Sequence, residues 1–504
     1  KINRTFTILM NFIVHQTVNR SLSQCVFVSV IVMMINIKEL HIMQAEHLLL
    51  DKKNIENDKK PKVCFLGKNS DQSHLVHVME VLKSLGYEIT KDTKDWDILW
   101  SHDYPFKEYK DLLVPVDAHK KINHFPGTGY VTNKMNLVTT PNISGIPKAF
   151  KIPKDKEDLL LYVKGHQDKL FVQKSNSHRG IKIENIDNLD LETEGTFMQE
   201  FIQDPFLIDG HKFDIGVYVI VTSIDPLRVY TYDNDALFRF CPEKYYPFDA
   251  ANINKYVVTD DYLPIWEVPS LKHLYNDREL TMKGTFNAYL RSQGLDTQLV
   301  WRQIESIVQD IMFAKESALI GTVKKYYSDP PTFFELIRFD FILTKDMKIY
   351  VMEANMSPNL SSAHFPSNRL LYEQILYNLF SLVGVAQHVH LRYTDFRSRT
   401  SKEMEVSNRD IAIQSDVCGS KLCKDGCSEA SCQICIQCLS HRQKTILRRT
   451  FKEHVNKRLC KRLIPSNLND IQMPLESFIQ GLTGSNQWLY RWLDAMCEKN
   501  TDFC

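Results

Sequence analysis

The chain of 504 residues is 43% hydrophobic and 24% charged, with a formal net charge of +1. That length and balance accommodate two or three domains with sizeable cores and exclude wholesale disorder. The small total hides an uneven spread, with basic residues gathered towards the C-terminus.

Residues 1–50 contain an uncharged apolar run, Cys25 to Ile37, which extends back to Leu22. It is shorter than the roughly 20 residues that span a bilayer, but Lys1, Arg4 and Arg20 precede it and Lys38, Glu39 and Glu46 follow. The layout fits a membrane anchor (22–37) or the apolar part of a signal peptide, and the positive-inside bias would carry the rest of the chain across the membrane. A buried segment fits the run as well.

After a polar linker, Asp51–Lys62, the chain turns to short alternating elements. Val63–Gly67 reads as a strand, Ser73–Leu85 as a helix stopped by Gly86, and Tyr87–Thr90 and Trp96–Trp100 as further strands. Residues 51–122 therefore read as a small βαβ lobe. It has no Gly-x-Gly-x-x-Gly, so a dinucleotide fold is unsupported. In Phe171–Ile183 a strand bearing Lys174 leads through a polar loop to Arg179-Gly180 and a second strand. Glycine lets a backbone approach a ligand, and Lys with Arg supplies donors for phosphate; a generic basic hairpin fits too. Ile215–Thr222 is a buried strand that pairs with Leu227–Tyr232 across the Asp225-Pro226 turn. Glu267–Leu274, Leu280–Ala318 and Leu370–Val385 read as helices, with the apolar positions of Val300–Ala314 assigned to the core.

Phe334 to Asn359, FELIRFDFILTKDMKIYVMEANMSPN, reads as a β-hairpin with strands at Leu336–Leu343 and Lys348–Ala354. Asp340 interrupts the first apolar run, and Glu353 and Asn355, two apart, leave the second strand on one face. Buried carboxylates need partners, and a hard cation such as magnesium takes carboxylate and amide oxygens. The competing reading is an exposed hairpin whose acids face water.

Residues 396–504 read as a separate extension. Cys418, Cys423, Cys427, Cys432, Cys435 and Cys438 fall in one short stretch, which suits either structural Zn2+ or three disulfides. Arg442–Arg462 follows as a basic helix, in which Leu447, Phe451, Val455, Leu459 and Leu463 repeat every four residues among nine Lys and Arg. Its charge suits an acidic polymer or a membrane surface, and no nucleic-acid module accompanies it.

Asp on one strand followed by Glu-x-Asn-x-Ser-Pro on the next resembles the magnesium end of an ATP-grasp ligase. With FELIRFDF and MEANMSPNL, the stretch from about Asn123 to Val385 is similar to the tubulin–tyrosine ligase-like family of amino-acid ligases. The resemblance implies an α/β (α+β) ATP-grasp fold over 123–395, with Asp340, Glu353 and Asn355 on Mg2+. It implies ATP as cosubstrate, held by Lys134 beside the Asn123-His-Phe-Pro126 motif and by Lys174, Arg179 and Gly180 of the phosphate loop. Gln199, Glu200, Phe201 and Ile202 would be the hinge that meets adenine, and Lys212 and Asp214 would face phosphate and substrate. Arg239 would bind the incoming amino acid's carboxylate, for which a bidentate fork is suited.

Several positions depart from the family pattern. Ser175 and Lys182 replace a proline and a glycine of the phosphate loop, and Gly216 stands where an arginine is usual. Thr259-Asp260 replaces a threonine–asparagine pair, and Tyr372 a substrate lysine. Loss of one transition-state donor costs about 3 kcal/mol. The expectation is an ATP-dependent ligase, with Lys212, Asp214 and Arg239 at the reacting groups. It would add glutamate to a protein carboxylate through an acyl phosphate, tubulin or microtubules being the acceptor in the cytoplasm or cytoskeleton. The alternatives are a nucleotide-binding pseudoenzyme and a membrane-anchored lumenal protein with another partner.

Overall fold

The computed structural model describes residues 60–67, 73–113, 116, 120–175, 182–184, 186–327, 332–386, 406–413 and 416–504. The apolar run at 22–37 lies outside them. Among the described residues no helix is long and apolar enough to cross a membrane.

The first described elements are β1 (Lys62–Leu66), α1 (Val76–Ser84), β2 (Glu88–Thr90), β3 (Ile98–Ser101) and β4 (Lys121–Ile122). Val78, Val81 and Leu82 line the inner face of α1, and Gly86 at φ 90° turns the chain out of it. β1, β2 and β3 pair in parallel, as the alternating elements predict. A short helix, α2 (Lys134–Val138), is capped by the Asn133 side chain and leads to a second sheet. That sheet comprises β5 (Ala149–Ile152), β6 (Phe171–Ser175), β7 (Lys182–Glu184) and β8 (Thr196–Glu200), antiparallel in the order β5-β8-β6-β7.

The largest sheet is organised on β9 (Phe213–Ile224), which is buried along nearly its whole length. β10 (Leu227–Tyr232) and β11 (Leu237–Phe240) share one of its edges, and β12 (Leu263–Pro264) follows β11. After the 30-residue helix α3 (Thr297–Tyr326), β13 (Thr332–Phe333) returns to the parallel sheet beside β4. The chain then enters β14 (Glu335–Leu343) and β15 (Ile349–Asn355), with β14 on the other edge of β9. These two strands are the expected hairpin, and the mixed α/β class predicted from the sequence holds. Helix α4 (Arg369–Leu382) closes this body with Leu371, Ile375, Leu376 and Leu379 inward.

The C-terminal region departs from its expected form. The basic segment is helical only over α5 (His441–Asn456); Arg458 takes φ 47°, and Cys460–Ile464 becomes a strand, β16, antiparallel to β10. The open edge of β10 needs backbone partners, and β16 supplies them. The four-residue repeat is therefore not one stripe: Leu447 and Leu463 are buried, while Val455 and Leu459 are exposed. Within α5, Glu453 is buried and accepts from Arg228 Nε at 2.9 Å, Arg228 Nη2 at 3.1 Å, Thr222 Oγ1 at 2.9 Å and the Tyr230 hydroxyl at 3.0 Å. The tail is thus tied to the central sheet by both a strand and a buried ion pair. Helix α6 (Gly484–Lys499) supplies Trp488, Leu489, Trp492 and Leu493 to a small core of its own with Leu447 and Ile411.

The zinc reading of the cysteine cluster does not hold. Its six cysteines form Cys418–Cys435, Cys423–Cys432 and Cys427–Cys438, which leaves no thiolate of the six for a metal. A fourth disulfide, Cys497–Cys504, was not foreseen.

Candidate functional site

Four neighbouring strands bring Asp214, Arg239, Asp340, Glu353 and Asn355 together on one face. Side chains two apart on a strand share a face, so Arg338 and Asp340 of β14 point the same way. In register, Asp340 lies opposite Gly216 of β9 on one side and Glu353 of β15 on the other. Arg338 lies between Tyr218 and Asn355, and Asp214 lies opposite Arg239 of β11. A β-bulge just after Asp340 shifts the β14–β15 register, so the hairpin turns at this point.

Asp340 is the hub, 2% exposed. Its Oδ1 accepts from Arg338 Nε at 2.7 Å, and its Oδ2 from Arg338 Nη2 at 2.9 Å, Arg239 Nη2 at 3.0 Å and Asn355 Nδ2 at 3.0 Å. Burial alone would raise this carboxyl, but Arg338 and Arg239 outweigh it and hold the group below the usual carboxylate range. Asp214 takes a two-point contact from Arg239, Nε to Oδ1 at 3.0 Å and Nη2 to Oδ2 at 2.7 Å. There burial dominates, Arg239 opposes it and Asp340 adds to it, so the carboxyl is pushed up to about 6.

Asn355 Nδ2 also lies 3.3 Å from Glu353 Oε1, so one amide bridges the two carboxylates. Glu353 in turn meets Lys134 Nζ at 3.2 Å. The contact sets Lys134 beside the hairpin, a placement that sequence separation alone could not give. Two carboxylates and an amide on adjacent strands carry the oxygen types that magnesium takes, and the Asn355 amide, which here presents its nitrogen to both carboxylates, would offer Oδ1 to an ion by turning over.

Lys174 and Lys212 complete a cationic rim. Lys174 Nζ donates to Gln199 Oε1 at 3.0 Å. Burial depresses its pKa to about 8, Glu353 partly opposing and Lys134 and Lys212 adding to the shift. Lys212 is also lowered by burial; its Nζ donates to the Tyr256 carbonyl at 2.9 Å and sits 5.3 Å from the centre of the Phe201 ring. Gln199 is fully buried, yet its Nε2 has no hydrogen-bond partner. An unmet buried donor beside a lysine suits a ligand acceptor. Five cations (Lys134, Lys174, Lys212, Arg239 and Arg338) gather here against Asp214, Asp340 and Glu353, which favours a polyanion.

Other expected residues sit differently. The Glu200 side chain turns to Lys169 Nζ at 2.8 Å and the Tyr162 hydroxyl at 3.0 Å. The Phe201 N–H donates to the Leu170 carbonyl at 2.8 Å, and Ile202 is half-buried. Arg179 and Gly180 lie outside the described residues. Asp260 is exposed, whereas Tyr372 is buried and receives Asn368 Nδ2 at 3.4 Å. Asn368 also donates to the Tyr262 hydroxyl at 2.8 Å, and its own Oδ1 has no partner. The Asn123-His-Phe-Pro126 motif serves β14: His124 Nδ1 lies 2.6 Å from Glu335 Oε1, and the Phe125 N–H donates to Glu335 Oε2 at 3.1 Å. Sequence reasoning missed Arg338 and Asn368; the sole signal for Arg338 was a charge inside an apolar strand.

The model of the "Tubulin-tyrosine ligase family" matches residues 113–391. The chain is 40% identical over 461 residues to the probable tubulin polyglutamylase ttll-15 of Caenorhabditis elegans, covering 89% of this chain and 87% of that one. It is 28% identical over 316 residues to the mouse (Mus musculus) tubulin monoglutamylase TTLL4, and 27% identical over 381 residues to the mouse tubulin polyglutamylase TTLL6. Those matches cover 59% and 71% of this chain but 26% and 45% of the two mouse proteins. The hairpin triad, the cationic rim and this breadth of similarity lead to one statement: the chain belongs to the tubulin–tyrosine ligase family and has its ATP-grasp type of fold.

Proposed function

We propose that this protein is an ATP-dependent ligase that joins glutamate to a carboxylate of a protein acceptor, with tubulin as that acceptor. The observation that carries the reading is the convergence of Asp340, Glu353 and Asn355 with Lys134 against Glu353. The names of the similar proteins support glutamate and tubulin.

In this reading Asp340, Glu353 and Asn355 would hold Mg2+, which would neutralise triphosphate charge when bound. Lys134, Lys174, Arg179 and Lys212 would hold the phosphates, and Gln199–Ile202, the end of β8 and the two residues after it, would receive the base. An acceptor carboxylate oxygen attacks the γ-phosphorus as the bond to ADP breaks, giving an acyl phosphate. The glutamate amine then attacks the acyl carbon, losing a proton as phosphate departs. Arg239 orients the carboxylate of the incoming amino acid, with Asp214 fixing its guanidinium. The chemistry is positioning and charge stabilisation, with no protein nucleophile.

The test is incorporation of radiolabelled glutamate into tubulin by the full chain with Mg-ATP, beside Glu353→Gln. Label that appears with the natural protein and is lost in the variant is expected. ATP binding without any incorporation would overturn the ligase in favour of a nucleotide-binding pseudoenzyme.

A second reading concerns the compartment and hence the acceptor. Four disulfides within residues 418–504 favour an oxidising lumen, where the acceptor is a protein other than cytosolic tubulin. Protease protection of the chain in microsomes supports the lumenal reading; digestion without detergent supports the cytosolic one.

A further inference from the structure

Gly216 is a glycine inside a long buried strand, where glycine ordinarily weakens pairing. It is not among the positive-φ glycines, so backbone conformation does not demand it. Space does. A Cβ at 216 would lie 3.0 Å from Arg338 Cδ, 3.3 Å from Asp340 Oδ1 and 3.3 Å from Leu237 Cβ. The Arg338 stem therefore runs over position 216 on its way to Asp340, and its guanidinium grips both carboxylate oxygens, at 2.7 and 2.9 Å.

We infer that Gly216 and Arg338 are one reciprocal unit, in which Arg338 reaches from β14 across the space that an arginine at 216 would fill from β9. Arg338 is a positioning residue. It fixes the orientation of both Asp340 oxygens and supplies, beside Arg239, the second guanidinium of this face. Gly216 is the condition for that reach, so the glycine is not a mark of a decayed site. A bidentate guanidinium–carboxylate pair is directional, and its loss takes the donor from Asp340 Oδ1 while Arg239 and Asn355 hold only Oδ2. The inference rests on the reading above that Asp340 serves a magnesium–nucleotide complex.

One consequence is counter-intuitive. Gly216→Arg alone, which would restore the more usual family residue, places a long side chain into the Arg338 stem. It should harm the protein.

The experiment is a double-mutant cycle on the full chain with Gly216→Arg, Arg338→Gly and the two together. It reads the affinity for ADP by calorimetry with and without Mg2+, and the thermal midpoint. Each single variant is expected to weaken binding in the presence of Mg2+ by about tenfold or more, the scale of one charged hydrogen bond. The effect without Mg2+ should be smaller, and Gly216→Arg should also lower the midpoint. The double variant should return to within about threefold of the natural protein, because the losses share one cause. Losses that multiply in the double variant, or natural affinity in Arg338→Gly, would overturn the inference; so would failure of the natural chain to bind Mg-ADP.

Arg338→Lys guards against a variant that does not fold. It keeps the charge but not the fork, so the Mg2+ concentration for half-maximal ADP binding should rise about threefold or more. An unchanged Mg2+ requirement would count against the inference. Glutamate incorporation is scored separately. If no variant ligates but the magnesium-dependent cycle closes, the ligase reading fails and this one stands.

Discussion

Two buried arginine–carboxylate networks lie on the same central sheet and are built for different ends. Glu453 on α5 accepts from Arg228, Thr222 and Tyr230, so its carboxylate is saturated by groups of the protein's own fold. Around Asp340 the donors are equally close, yet unmet polar atoms persist nearby, Gln199 Nε2 and Asn368 Oδ1, under an excess of cations. Unmet atoms alone do not separate the two, since Arg448 Nε and Asn456 Nδ2 of α5 lack partners as well; the surplus of cations around Asp340 does, and it leaves charge for an anion to complete. The contrast distinguishes scaffold from site without reference to any relative.

The contrast breaks most visibly if the closed network is opened. Glu453→Ala should leave Arg228 buried and unpaired and cost about 3–5 kcal/mol in urea unfolding. Stability close to that of the natural protein would mean that α5 contributes little to holding the tail. Glu353→Gln acts on the other side of the comparison. Half-exposed Glu353 carries little of the fold, so the thermal midpoint should barely move while ligation falls about a hundredfold or more. A large fall in midpoint would make Glu353 a structural residue. Next, replacing both Cys497 and Cys504 by serine removes a link across a sequence separation of 7 and should cost about 2–3 kcal/mol, read by unfolding, with Mg-ADP affinity unchanged. Altered affinity would tie the tail to the site.

The smallest effect is in pH. Lys174 is lowered to about 8, chiefly by burial, with Glu353 opposing and Lys134 and Lys212 assisting. Its charge in the folded state is lost as pH rises through about 8, so nucleotide affinity should decline from there upward. The unfolded chain keeps its proton to higher pH, so this residue's own contribution makes the fold more stable over the same rise. Lys174→Met should bind nucleotide more weakly and lose that part of the pH dependence. A profile identical to that of the natural protein would remove Lys174 from the phosphate site.

Much of this was legible in the chain alone wherever the signal was local. The alternation of FELIRFDF and the spacing of Glu353 and Asn355 gave the hairpin and its polar face, because period-two geometry needs no distant partner. The apolar spacing of Val300–Ala314 likewise gave the core side of α3. Local pattern failed where register or a distant edge decided. The repeat through Leu459 and Leu463 reads as helix, yet the free edge of β10, over 200 residues earlier, draws Cys460–Ile464 into a strand. Six clustered cysteines fit zinc or disulfides equally on spacing, and only their placement pairs them. Gly216 looked like a lost arginine for the same reason: Arg338 lies 122 positions away in sequence and two residues from Asp340, and only the antiparallel register of β9 and β14 lays its stem over the glycine. Sequence singled out Asp214, Arg239, Asp340, Glu353 and Asn355 as candidates; tertiary structure determined that they share partners, and added Arg338 to them, because strand register converts remote positions into contacts.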